Sequence, residues 1–159
     1  MPFNAASGSG LDFTRVVAAP ARGVTIEAVG SAGQAVLAST TADDSGQFTL
    51  SVPANTDMFV RMKAELRRSG GPTWQVTVRD NTASDALFAV DTAAFNSGAA
   101  ALRRDVHAAS GWTGIGYGAA RAAAPISLLD TAWQAMQLVL AAEPGITQDS
   151  VTLRFPSFS

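Results

Sequence analysis

The sequence predicts a mainly β protein: an antiparallel β-sandwich over residues 1–91, then an Ala/Gly-rich connection and one C-terminal α-helix within residues 92–159. Three features carry that prediction. Residues 22–52 hold short alternating runs of apolar and polar side chains on both sides of the turn Asp43-Asp44-Ser45-Gly46. Period-two alternation about a turn of Asp, Ser and Gly marks a half-buried antiparallel sheet. Residues 57–66 alternate without interruption and lead to a second turn, Ser69-Gly70-Gly71-Pro72. Residues 126–143 switch to a helical period between Pro125 and Pro144-Gly145, the asymmetric punctuation of a helix start and stop.

In chain order, residues 11–17 are the available candidate for a first strand. Val24, Ile26 and Ala28 alternate with Thr25 and Glu27, and Val36–Thr41 is a second extended run. Phe48, Leu50 and Val52 alternate with Gln47, Thr49 and Ser51, predicting a third strand. Met58, Val60, Met62, Ala64 and Leu66 then share one face, with Phe59, Arg61, Lys63 and Glu65 on the other and the charges in water. Across the Gly-Gly-Pro turn, Trp74, Val76 and Val78 point inward, opposite Gln75, Thr77 and Arg79. These two segments predict a long hairpin, and residues 86–90 a last strand. Residues 92–109 read as a weak helix or an ordered loop, with Leu102 and Val106 at i and i+4. Gly111, Gly114, Gly116 and Gly118 interrupt any regular element around Trp112, Ile115 and Tyr117. The helix carries its apolar stripe on Leu129, Ala132, Trp133, Met136, Val139 and Leu140, and a short tail follows.

With 47% hydrophobic and 15% charged residues, the 159-residue chain has material for a real core and little surface charge. A net charge of -2 gives no reason to expect nucleic acid or an anionic membrane as partner. The absence of cysteine excludes disulfides and thiolate metal sites. The longest apolar stretch, residues 132–142, is broken by Gln134 and Gln137 and is too short to span a bilayer. No signal peptide is visible, so the chain as it stands is expected to be soluble in the cytoplasm.

Two resemblances rest on particular residues. Pro20-Ala21-Arg22-Gly23-Val24-Thr25-Ile26-Glu27-Ala28, Thr41-Ala42-Asp43-Asp44-Ser45-Gly46-Gln47-Phe48 and Val52-Pro53-Ala54 resemble the carboxypeptidase regulatory-like β-sandwich, a prealbumin or immunoglobulin-like architecture. The likeness covers residues 22–78, with Asn55 standing in the region where that pattern closes on Gly. It implies a non-catalytic accessory domain, of a kind common in secreted bacterial proteins. Val78-Arg79-Asp80-Asn81-Thr82, His107-Ala108-Ala109-Ser110-Gly111-Trp112 and Ala122-Ala123-Ala124-Pro125 followed by Leu129-Asp130-Thr131 resemble the N-terminal part of large bacterial lipoprotein-type zinc metallopeptidases. That likeness implies a periplasmic or secreted parent whose catalytic domain carries a His-Glu-x-x-His helix. Here there is one His and no such motif, so the chain is expected to be a fragment or truncated product without the catalytic domain.

Candidate chemistry is sparse. His107 near Asp105 and Ser110 invites a Ser-His-Asp reading, but a triad needs three groups meeting in space; the plain reading is an exposed or structural His. Asp105 and His107 supply at most two zinc ligands, where a catalytic site takes three and a closed one four. Asp80, Asn81, Asp85 and Asp91 suggest calcium, yet lack the EF-hand spacing, and turn capping accounts for them. No cofactor is therefore expected; zinc and calcium are the candidates. Residues 111–118 lack the G-K-[ST] ending of a phosphate loop. Arg61, Lys63 and Arg67 fall on one strand face and are candidates for binding a carboxylate or phosphate ester; the alternative is a solvated face that protects an edge. Trp74, Trp112 and Trp133 are expected in the core rather than in a carbohydrate platform.

The residues thus point to a non-catalytic interaction domain. The alternative is a hydrolase acting on activated esters or phosphoesters at an oligomer interface, metal-dependent or not. A homo-oligomer through the C-terminal helix is also expected, because Ile126, Leu128, Leu138 and Ala141 extend its apolar surface beyond what one sheet face covers.

Overall fold

The computed structural model describes Asp12 and residues 16–157. The expected first strand therefore lies largely outside the described residues; Val16 and Val17 are exposed and belong to no strand. The elements are β1 (Val24–Gly30), β2 (Val36–Thr41), β3 (Asp57–Arg68), β4 (Trp74–Asp80), β5 (Ala86–Leu87), β6 (Ala89–Asp91), β7 (Phe95–Asn96), α1 (Ala123–Ala142) and β8 (Val151–Phe155). All eight described strands connect in one sheet, along the path β2-β1-β3-β4-β5. β6 and β7 add to β3, and β8 adds to β4.

β3 organises the fold. Met58, Val60, Met62, Ala64 and Leu66 are each at most 3% exposed, so the alternation fixes the strand's register: a slip of one would expose all five. Opposite ladders hold it, β1 along one edge and β7, β6 and β4 in turn along the other. Its polar face departs from expectation. Phe59 and Glu65 are buried and Arg61 and Lys63 half-buried, because strands on both sides crowd them and opposite charges neutralise them. The β1 ladder slips between Val24 and Thr25, which pair with Leu66 and Lys63 and leave Ala64 and Glu65 without a β1 partner. Such irregularities bend a strand. On the other edge of β3, Glu65 pairs with Thr77 of β4.

Four other expectations need correction. Residues 47–52 keep the predicted alternation, with Phe48, Leu50 and Val52 half-buried against the core and Gln47, Thr49 and Ser51 exposed. They form no ladder, so the segment covers the core instead of extending the sheet. The single strand expected at 86–90 is two. Phe88 sits where β3 and β4 diverge, donating its N–H to Val78 and accepting from Ala64 N–H, so β5 pairs with β4 and β6 with β3. The tail contains β8, parallel to β4, which makes the sheet mixed though mostly antiparallel. Finally, α1 starts at Ala123 with Ala122 as its cap, making Pro125 the third helical residue rather than the first. The missing N–H is harmless there, because the first turn's donors have no intrahelical acceptor.

The core lies between the sheet's apolar face and a cover. Ile126 and Leu129 of α1 join the buried cluster, and Phe48, Leu50, Val52, Phe95, Val106 and Ala108 pack against it. Residues 92–109 thus resolve as ordered chain around the two-residue strand β7. Arg22 fastens the helix to the start of β1: its Nε and Nη2 each donate to an Asp130 carboxylate oxygen at 2.7 Å, and its guanidinium lies 4.6 Å from the Trp133 ring centre. No described helix is long and apolar enough to cross a membrane.

Candidate functional site

Strand alternation sends Thr25 and Glu27 of β1, Ser39 and Thr41 of β2, and Lys63, Glu65 and Arg67 of β3 to the face away from the core. Register aligns them in rows. Thr25 lies between Thr41 and Lys63, and Glu27 between Ser39 and Arg61. Lys63 Nζ reaches Glu27 Oε1 at 3.1 Å and Glu65 Oε2 at 3.4 Å, while Gln75 Nε2 donates to Glu65 Oε1 at 2.7 Å. Burial alone would raise the Glu65 carboxyl; the Gln75 hydrogen bond and the charges of Lys63 and Arg67 more than offset it and hold it below the ordinary range. Burial opposes the Lys63 charge as well, and Glu27 and Glu65 overcome it, so the ammonium is held above its usual value. The Thr25 side chain is buried and its hydroxyl has no hydrogen-bond partner. An unpaired buried hydroxyl is uncommon. Thr25 lines a polar groove of about 230 Å³ with Glu27, Ser39, Thr41, Lys63 and Arg67.

A second groove, of about 400 Å³, adjoins the first at Thr41, Arg67 and Ser69. Two indoles, Trp74 and Trp133, line it together with Leu66, Asp44, Arg68 and Gln137. Arg68 stacks 4.9 Å from the Trp74 ring centre, and Arg22 covers Trp133. Both indoles are half-buried, between the core expected for them and an open platform. Arg67 stands at the rim common to both grooves, exposed, and its guanidinium makes no hydrogen bond or ion pair to any described residue. No protein-family model, curated protein or solved structure matches the chain.

The sequence candidates separate in space. Of the three cations expected to act together, Arg61 is held by Asp91 through two 2.8 Å hydrogen bonds and Lys63 by its two glutamates, leaving Arg67 available. Asp105 is exposed and 3.9 Å from Arg103. His107 is exposed, and no hydrogen bond or ion pair joins it to Asp105 or Ser110, whose Oγ accepts from Trp112 N–H. Among the described residues no three His, Asp or Glu side chains gather as a metal ion requires. Asp85 holds Arg154 and Asp91 holds Arg61. The Gly-rich stretch folds into a small hairpin: Gly118 N–H bonds Gly111 O, and Trp112 meets Tyr117 edge to face at 5.3 Å.

Asp80 accepts from Thr82 Oγ1 at 2.6 Å, Thr82 N at 2.8 Å and Ser157 N at 3.2 Å. Hydrogen bonds from Thr82 and then Ser157 pull its pKa down to about 2. An unfolded Asp titrates near pH ~3.9, so the stabilisation is complete above that pH and is lost as pH falls towards about 2. Asp80→Asn is expected to flatten the acid limb of stability against pH. Urea midpoints measured from pH 6 downward, on the order of one unit apart, check this; an unchanged limb would contradict it.

Arg67 was legible as a charge on the polar strand face. Thr25 was not, because a Thr on an alternating strand carries no sign that its hydroxyl will be buried unpaired. The Arg22–Asp130 fastening, between residues 108 positions apart, left no local signal either.

Proposed function

We propose that the chain is a non-catalytic recognition module that binds a ligand bearing one anionic group, a carboxylate or a phosphate ester. One observation carries this reading: the Arg67 guanidinium, without a hydrogen bond or ion pair to any described residue, stands at the junction of a polar groove and one lined by two indoles. A guanidinium offers a planar fork of donors to such anions. Hydroxyls and carboxylates on one side suit a polar ligand portion, and indole rings on the other suit an apolar one. The layering, a sheet with an extended cover over its apolar face, and the Asp43–Gly46 turn support a sandwich domain like the carboxypeptidase regulatory kind. In such a setting the module serves an activity located elsewhere.

The test is turnover. Highly purified protein, incubated with activated esters and phosphoesters with and without EDTA, is expected to give no saturable rate above background, and His107→Ala is expected to behave identically. Saturable turnover that disappears with EDTA or in His107→Ala would replace the binding module by a hydrolase.

A further inference from the structure

The outward face of α1 carries a pattern unused by the core or by either groove. Ala124, Leu128, Thr131, Ala135, Leu138 and Ala142 follow one another at spacings of four and three residues, and such spacing lines up one side of a helix. Leu138 is 75% exposed and Leu128 37%; Thr131, Ala135 and Ala142 are exposed and Ala124 is half-buried. The row is symmetric about position 133. Leu128 and Leu138 are equally far from it, as are Thr131 and Ala135, and Ala124 and Ala142. Read from either end, the sizes run small, large, small, small, large, small.

We infer that this row is the contact surface for a second copy of the chain, with the two helices antiparallel and crossing at position 133. Each Leu128 then meets the partner's Leu138, and each Thr131 meets the partner's Ala135. Small residues at the crossing allow the axes to approach to about 8 Å. Under that two-fold the row meets itself in register, small residues at the crossing and leucines on either side, which is the self-complementarity an isologous interface requires.

Charge agrees with this occupant. The row holds no ionisable side chain, and three polar groups in or beside it are engaged within the subunit. Asp130 binds Arg22, Gln134 binds Asp130, and the Thr131 hydroxyl donates to Ser127 O at 3.2 Å. Desolvating Thr131 therefore leaves no donor stranded. The first turn of α1 has no acidic residue and the last no basic one, so its dipole lacks side-chain compensation, and an antiparallel partner sets opposite ends side by side. The 20-residue helix is about 30 Å long and 10 Å wide, giving a footprint near ~300 Å² against ~800 Å² per partner in a standard interface. The dimer is accordingly a weak, transient one. It does not depend on the ligand reading of the grooves.

Light scattering over a micromolar concentration series is expected to show a monomer–dimer equilibrium. Leu138→Glu, at an exposed position, is expected to weaken it at least ~10-fold, a difference of about 1.4 kcal/mol. The chain has no cysteine, so cross-linking reads the register. Leu128→Cys mixed with Leu138→Cys is expected to form a disulfide-linked heterodimer. Either variant alone is not, because like positions lie about 15 Å apart along the antiparallel helices. A wild type that stays monomeric throughout, a dimer indifferent to Leu138→Glu, or efficient linking of Leu128→Cys to itself would each overturn the proposal.

Discussion

Gly23→Ala is expected to destabilise the protein by about 3 kcal/mol, the sum of a left-handed conformation forced on alanine and an overpacked contact. Gly23 has φ +67°, and a Cβ there would stand 2.5 Å from Trp133 Cδ1, 2.9 Å from Trp133 Nε1 and 3.3 Å from Leu66 Cδ2. Trp133 is also stacked by Arg22, which is itself bound to Asp130, so moving the indole aside would forfeit that cation–π contact. Gly33 supplies the control: its φ is +76°, but no atom lies within 4 Å of a built Cβ. Gly33→Ala should therefore lose only the backbone part, about 1 kcal/mol. Denaturation with tryptophan fluorescence as readout separates the two. Equal losses would show that the contact with Trp133 contributes nothing.

Lys63→Met is expected to lower stability at neutral pH by about 2 kcal/mol, a figure reduced from that of a fully buried pair because the Lys63 side chain is 24% exposed. The substitution keeps the stem and removes the charge, leaving Glu27 and Glu65 facing each other without their common cation. In the wild type the Lys63 charge is among the contacts that overcome burial and hold the Glu65 carboxyl below its ordinary range. That contribution is present above the unfolded pKa, about 4.3 for Glu, and is lost as pH falls through the lowered native value. The deficit of the variant should therefore shrink as pH falls below about 4, and adding Glu27→Gln should restore part of the loss at pH 7. A deficit that stays constant with pH would mean that lost packing, not unpaired charge, is responsible.

How far the fold could be read depended on where its information is stored. The register of β3, the turn at residues 43–46, the β3–β4 hairpin and the helix are local, written in alternation, turn chemistry and helical period. Residues 47–52 alternate as a strand does, yet whether such a segment finds a ladder depends on which edges are free. β8 was missed although Val151, Leu153 and Phe155 alternate with Thr152 and Arg154, because five residues after a helix are also what a tail looks like. Phe88 interrupts a run that reads as continuous, and only the divergence of β3 and β4 makes the break. The same limit governed the site: three cations on one strand face were legible. That Asp91 would hold Arg61 and Glu27 would hold Lys63 was set by pairing across the sheet.

Arg67 at the meeting of the two grooves is tested most directly by an NMR titration of backbone amides with phenyl phosphate, which joins an aromatic ring to a phosphate ester. Phenyl phosphate should bind more tightly than inorganic phosphate or phenol alone. Its shifts should centre on Thr25, Thr41, Arg67, Trp74 and Trp133, and Arg67→Ala should abolish them while leaving the spectrum otherwise folded. Binding that survives Arg67→Ala undiminished, or shifts that avoid both grooves, would contradict a recognition site at Arg67.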